Sequence, residues 1–232
     1  MTARAHFAGA AHTLRNLRQD FVEWHDGRPR YALWAVDVDI PAVAQRVAAA
    51  DRHLGGLLLD GYRRQPHVTL GLCGFPQAQP RRRDDYGPAA LAAQLAGLRR
   101  VCCAPFEIAI GGLSSFTSAP FLSVADIDGG IARLRHGLAV ADINRPDGAY
   151  TPHITVGLYA GSWPAADVLR RLEAFAEVEA LKLRIARISL MSYCARDIGG
   201  PLTVAADFEL GEGRLRLRDA AAFGADFFTA VV

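Results

Sequence analysis

Pro66-His67-Val68-Thr69-Leu70-Gly71-Leu72 returns later in the chain as Pro152-His153-Ile154-Thr155-Val156-Gly157-Leu158. Proline, histidine, threonine, glycine and leucine stand in register, and the two remaining positions are aliphatic in both copies. Aliphatic and β-branched residues alternating with polar ones read as a half-buried strand. Side chains on a strand alternate between faces, so His67, Thr69, Gly71 and Cys73 are expected on one face. Val68, Leu70 and Leu72 take the other. The second copy divides in the same way, with His153, Thr155, Gly157 and Tyr159 opposite Ile154, Val156 and Leu158. Each strand then offers an aliphatic face to a core and a polar face with an imidazole, a hydroxyl and a glycine slot for close approach of a ligand.

Working outward, apolar spacing predicts a helix over 11–23, carried by Leu14, Leu17, Phe21 and Val22, and a strand over 31–40. Pro41 opens a helix to about residue 54, since proline is tolerated at the first helical position. The first motif strand, 67–73, is followed by a polar loop over 75–88 containing Arg81-Arg82-Arg83. Helices are expected at 88–100, 131–140 and 164–177, and strands at 106–110, 121–124, 153–159, 183–193 and 202–210. Residues 211–232 show no clear period. Mixed strands and helices, with neighbouring strands close enough in sequence to be antiparallel, give the fold class as α+β. No G-x-G-x-x-G or G-x-x-x-x-G-K-[ST] stretch supports dinucleotide or P-loop chemistry.

A chain of 232 residues is long enough to bury about 70–75% of its unfolded surface without covalent staples. With 51% hydrophobic and 22% charged residues it is neither disordered nor fibrous. Its apolar runs, such as 90–98, fall short of the roughly 20 residues a membrane span requires. The first twenty residues contain no apolar signal region, so the expected location is cytoplasmic, with no membrane association. A net charge of +2 is too small for a dedicated duplex-DNA binder. Positive charge is almost all arginine, the better bidentate phosphate ligand, Lys182 being the single lysine. Cys73, Cys102, Cys103 and Cys194 form no disulfide or metal pattern and read as thiols in a reducing compartment.

Two imidazoles and two hydroxyls on facing strands suit displacement at phosphorus. Such a reaction needs a base on the attacking oxygen, an acid on the leaving oxygen and donors for the remaining phosphate oxygens. A lone His-x-Thr carries no such message, and two copies can be the trace of a duplication kept for packing. The segregation of imidazole and hydroxyl to one face in both copies favours catalysis. A metal site is not expected: threonine is a poor ligand, neither motif holds a carboxylate or thiol, and H-E-x-x-H is absent. No cofactor is expected either. His6, His12, His25, His53 and His136 have no partner pattern.

The paired motifs resemble those of the 2H phosphoesterase superfamily, named for two H-x-[ST] motifs, and within it the 2′-5′ RNA ligase-like, or RNA 2′,3′-cyclic phosphodiesterase, branch. The order around them is similar as well: an opening strand and helix, the stretch from Phe106 to Phe116, a helix between the motifs and a closing strand pair. The resemblance covers roughly residues 30–211, leaving 1–29 as an N-terminal helical extension and 212–232 as a C-terminal tail. It implies a bilobal domain whose two mainly antiparallel sheets are related by a pseudo-twofold axis. Helices would cover the outer faces, and the H-x-T strands would line a central cleft. His67, Thr69, His153 and Thr155 would be catalytic, the threonines holding phosphate oxygens. His153 is taken to activate water and His67 to protonate the leaving ribose oxygen, an assignment that pseudo-symmetry leaves reversible.

The implied substrates are RNA 2′,3′-cyclic phosphate ends, 2′,5′-phosphodiesters or small cyclic nucleotides, with no obligate protein partner. The alternatives are a non-catalytic RNA- or nucleotide-binding module and a hydrolase of a non-nucleotide cyclic phosphate. Where the RNA-acting branch often carries a basic residue after the second motif, this chain has Leu158 and Tyr159. Tyr150, just before the second motif, and Phe116 are candidate base-stacking residues. Tyr62 and Arg64 stand similarly before His67, and Arg64 is a candidate phosphate contact.

Overall fold

The computed structural model describes residues 3–139, 150–176, 179–224 and 226–228. The last residue of the helices expected at 131–140 and at 164–177, and residues 229–232 of the tail, lie outside these. In chain order the elements are α1 (Ala3–Ala8), α2 (Val22–His25), β1 (Arg30–Asp37), α3 (Pro41–His53), β2 (His67–Pro76), β3 (Asp85–Tyr86), α4 (Pro88–Val101), β4 (Phe106–Ser115) and β5 (Pro120–Asp126). They continue with α5 (Gly130–Gly137), β6 (His153–Thr155), α6 (Ala165–Glu173), β7 (Leu181–Ile185), β8 (Arg187–Cys194), β9 (Thr203–Glu209), β10 (Arg214–Leu217) and a 3₁₀ turn (Ala220–Phe223). The first sheet runs β10-β9-β8-β1-β2-β3 and the second β6-β5-β4-β7. Every pairing among the described residues is antiparallel except the short one between β2 and β3. The architecture is α+β with two mostly antiparallel sheets.

One apolar core joins the sheets. Trp34, Val36, Val68 and Leu70 from the first meet Ile108, Leu122 and Ile154 from the second, and α4 and α5 add Leu91, Leu95 and Leu134. Each such side chain contributes about 1.5–3 kcal/mol by leaving water. The two helices cross with backbones touching, since a Cβ on Gly97 would sit 2.0 Å from the Gly137 carbonyl oxygen. No helix among the described residues is long and apolar enough to cross a membrane.

Several readings of the sequence change. The single strand expected over 183–193 is two, β7 in the second sheet and β8 in the first, parted at Ala186. The helical spacing over 11–23 is realised only at α2, and Leu14 and Leu17 are 59% and 48% exposed. Residues 13–16 instead run irregularly across the second sheet, spending their amides on tertiary partners: Thr13 donates to Trp163, Leu14 to Thr117 and Asn16 to Tyr159. Those bonds replace the i→i−4 bonds a helix would make. The segment after residue 211 contains β10 on the edge of the first sheet, and Phe223, Phe227 and Phe228 enter the core. The second motif strand is three residues long, Val156 making a last amide bond to Pro120 at the start of β5 before Leu58 bridges to Tyr159.

Candidate active site

His67 and Thr69 stand on β2, opposite Asp37 and Ala35 of β1, and His153 and Thr155 stand on β6, opposite Ser123 and Phe121 of β5. Although they belong to different sheets, β2 and β6 pack against each other. The expected alternation of faces holds on β2 as far as Leu70. There Trp34 pairs with Gly71 and Ala35 with Thr69, so Leu70 has no residue opposite it, and Cys73 is skipped in the same manner. Such bulges shift the alternation by one residue. Leu72 consequently turns outward, 61% exposed, and joins the His67 face. Cys73 turns into the core against Gln94 and Tyr86, where burial pushes its thiol up to about 12. The expected glycine slot on the second copy is occupied too, since a Cβ on Gly157 would lie 3.0 Å from Leu58 Cδ1.

The two imidazoles are held alike. His67 Nδ1 lies 2.7 Å from the carbonyl oxygen of Gln65, and His153 Nδ1 lies 2.8 Å from that of Thr151. A carbonyl only accepts, so Nδ1 carries the proton in each ring and Nε2 holds the lone pair when the ring is neutral. In both copies the acceptor is the residue two positions upstream.

Their surroundings differ. His67 is 7% exposed, and burial lowers its pKa from the usual 6.5 to about 4. The hydrogen bond to Gln65 works against that shift, and the charges of Arg64 and His153 add to it. A cavity of about 80 Å³ adjoins the ring, bounded by Asp37, Asp39, Gln65, Met191, Leu202 and Val204. His153 is half-buried beside two phenylalanines: its ring centroid is 4.9 Å from Phe116, edge to face, and 5.3 Å from Phe121. Phe116 thus sits against the second histidine, held by the β4–β5 turn. Asn16 fixes that turn by donating from Nδ2 to the Ser118 carbonyl at 2.8 Å.

Arg64 lies near His67, with its guanidinium 4.0 Å above the Tyr193 ring and hydrogen bonds to the carbonyls of Ile198 and Gly200. Tyr150 donates its hydroxyl to the Thr69 carbonyl and has the Arg135 guanidinium 3.6 Å over its ring. Tyr62, to which the sequence assigns no role, is pushed up by burial, against which Arg64 and a hydrogen bond with the Thr155 side chain act. A tyrosine from before each motif therefore reaches the threonine residue of the other motif. Their places shortly upstream of the two histidines, five residues before His67 and three before His153, are the available signal. Of the Arg81-Arg82-Arg83 run, Arg82 pairs with Asp26, while Asp85 caps the amides of Arg81 and Arg82.

Over residues 39–197 the sequence matches the 2′-5′ RNA ligase superfamily. The chain belongs to that superfamily, the 2H phosphoesterases. No curated protein sequence matches it. Among solved structures, E. coli LigT complexed with 3′-AMP is 14% identical, with a TM-score of 0.50 over 79% of this chain and 99% of LigT. TT0787 of Thermus thermophilus is 18% identical, with a TM-score of 0.45 over 78% of this chain and 98% of its own. A further structure, of a phosphoesterase, is 17% identical with a TM-score of 0.47 over 78% of this chain and 98% of its own. The likeness to LigT is one of fold.

Proposed function

We propose that the chain is a metal-independent phosphoesterase that opens 2′,3′-cyclic phosphates, or cleaves 2′,5′-phosphodiesters, on RNA ends or small nucleotides. The observation that carries this reading is the matched fixing of two motif histidines, each with Nδ1–H given to the carbonyl two residues upstream, on strands that meet from different sheets. Membership of the superfamily supports phosphoester chemistry, and the relative of like fold holds 3′-AMP, a nucleoside monophosphate.

In the reaction, water attacks phosphorus in line with the departing ribose oxygen. One histidine accepts the water proton at Nε2, the other donates a proton from Nε2 to the leaving oxygen, and a phosphate monoester and a free hydroxyl result. Thr69 and Thr155 donate hydrogen bonds to the non-bridging oxygens as their charge grows. Burial keeps His67 neutral, the form a base requires, so His67 is assigned to water and His153 to the leaving group. This reverses the assignment taken from the sequence, which pseudo-symmetry left open. Arg64 serves as the phosphate contact and Phe116 as the surface against the base.

The test is turnover of 2′,3′-cyclic AMP and of a short RNA with a 2′,3′-cyclic end, both in EDTA, by wild type, His67→Ala and His153→Ala. Hydrolysis by wild type alone is the expected result, and the position of the monoester tells which ribose oxygen leaves. Binding without turnover by folded wild type would instead favour a binding module.

A further inference from the structure

The bulge in β2 falls at Leu70, directly after His67-Val68-Thr69, and leaves that residue without an opposite number on β1. Bulges disrupt the local ladder, and buried carbonyls deprived of a donor are costly, by about 1–3 kcal/mol each. Two side chains from beyond β5 supply donors at this point. Arg135, on the last turn of α5 and 9% exposed, gives Nη1–H to the Leu70 carbonyl. Tyr150, three residues before His153, gives its hydroxyl to the Thr69 carbonyl. The Arg135 guanidinium rests 3.6 Å from the Tyr150 ring centroid, so the two donors brace each other.

We propose that Arg135 and Tyr150 form a clamp that sets the spacing of the two H-x-T strands, with both acting as positioning residues for the reaction inferred above. This rests on that reading for its kinetic consequence but not for its structural one. The clamp takes hold of β2 at the carbonyls of Thr69 and Leu70 and of the chain three residues before His153. It ties together the two segments that must keep a common geometry around one phosphate. Displacing reacting groups by about 1 Å can cost 10²-fold in rate. Tyr150 is thereby assigned to the protein rather than to a substrate base, because one face of its ring lies beneath the guanidinium.

The clamp holds the carbonyl of Thr69, two residues from His67, so loosening it is expected to let water toward that ring. The charged and titratable groups around His67 are Arg64 on its approach, His153 from β6, and Asp37 and Asp39 from the end of β1 and just beyond it. Tyr150→Phe leaves every charge in place, whereas Arg135→Met removes a buried cation, so the titration of Tyr150→Phe is the one that reads solvent access alone.

The experiment compares wild type, Tyr150→Phe and Arg135→Met in two readouts. The first is the titration of His67 in each free protein, followed through its ring nitrogens by NMR. Its midpoint is expected to rise by about one pH unit toward the ordinary 6.5 as water reaches the ring. The second is kcat and KM on 2′,3′-cyclic AMP, where kcat is expected to fall about tenfold with KM unchanged. Tyr150→Phe keeps the ring and its contact with Arg135, so it reports on the hydroxyl even if Arg135→Met folds poorly. A lowered melting temperature with an unmoved His67 titration and unchanged kcat would overturn the clamp and leave a packing role. A raised KM with kcat intact would overturn it in favour of base stacking. If wild type turns over no cyclic phosphate, the proposed reaction fails, and the titration still decides the clamp.

Discussion

β2 and β6 carry the same Pro-His-aliphatic-Thr-aliphatic-Gly-Leu run, yet β2 is ten residues long and is flanked by β3 only at Phe75 and Pro76, whereas β6 is three residues long and forms an edge throughout. The backbone treats the two histidines identically, giving each the same tautomer through the same upstream carbonyl. Solvent does not. His67 is buried beside β1 and Arg64 with a cavity of about 80 Å³ at its side, while His153 is half-buried beside Phe116 and Phe121. A repeated motif thus fixes the ring geometry twice and leaves the surroundings of each ring to the rest of the fold. In the reaction proposed above, it is the burial of His67 that assigns it the role of base.

The largest test of this pairing is removal of either imidazole. His67→Ala and His153→Ala are each expected to lower kcat by about 10²–10⁴-fold on a 2′,3′-cyclic nucleotide, with the fold intact by circular dichroism. A variant retaining wild-type turnover would break the symmetry of function. Next come the hydroxyls: Thr69→Val and Thr155→Val keep the β-branched shape and are expected to cost about 10²-fold in kcat. Equal losses would mean that both strands hold the same phosphate.

A third test separates the strands without any substrate. Because the folded protein resists protonation of His67 down to about 4, the unfolded chain binds more protons between pH 6.5 and 4. Stability contributed by the neutral ring is present above 6.5 and is lost as pH falls through that window. Urea unfolding at pH 7 and pH 4.5 should show wild type losing about 2–3 kcal/mol more than His67→Gln, the carboxylates acting equally in both. An equal loss would contradict the buried, neutral ring. The smallest expected effect concerns the N-terminal segment on the His153 side. Asn16→Ala removes the bond to Ser118 and should cost about 1 kcal/mol in thermal unfolding. It should also raise KM a few-fold as Phe116 loosens, and an unchanged KM would detach that turn from the site.

Much of this is legible in the sequence because it is local. Period-two alternation places the histidines, threonines and aliphatic residues correctly from His67 to Leu70, and the apolar helices follow from Leu91, Leu95 and Leu134. Past Leu70 the pattern fails at a bulge. Gly71, which reads as an opening for a ligand, is the one sign of it, since a glycine inside a strand also marks such irregularities. The 13–16 segment misleads because its leucines have helical spacing while its amides have better partners far along the chain. The crossing contacts of Tyr62, Tyr150 and Arg135 join residues separated by 65 positions or more. No periodicity within one strand or helix encodes those.

The most direct test of a buried, neutral first histidine is ring-nitrogen NMR of His67 in the free protein. The account predicts a neutral ring protonated on Nδ1 at pH 6, gaining its second proton only as pH approaches 4. A ring already positively charged at pH 6 would contradict it.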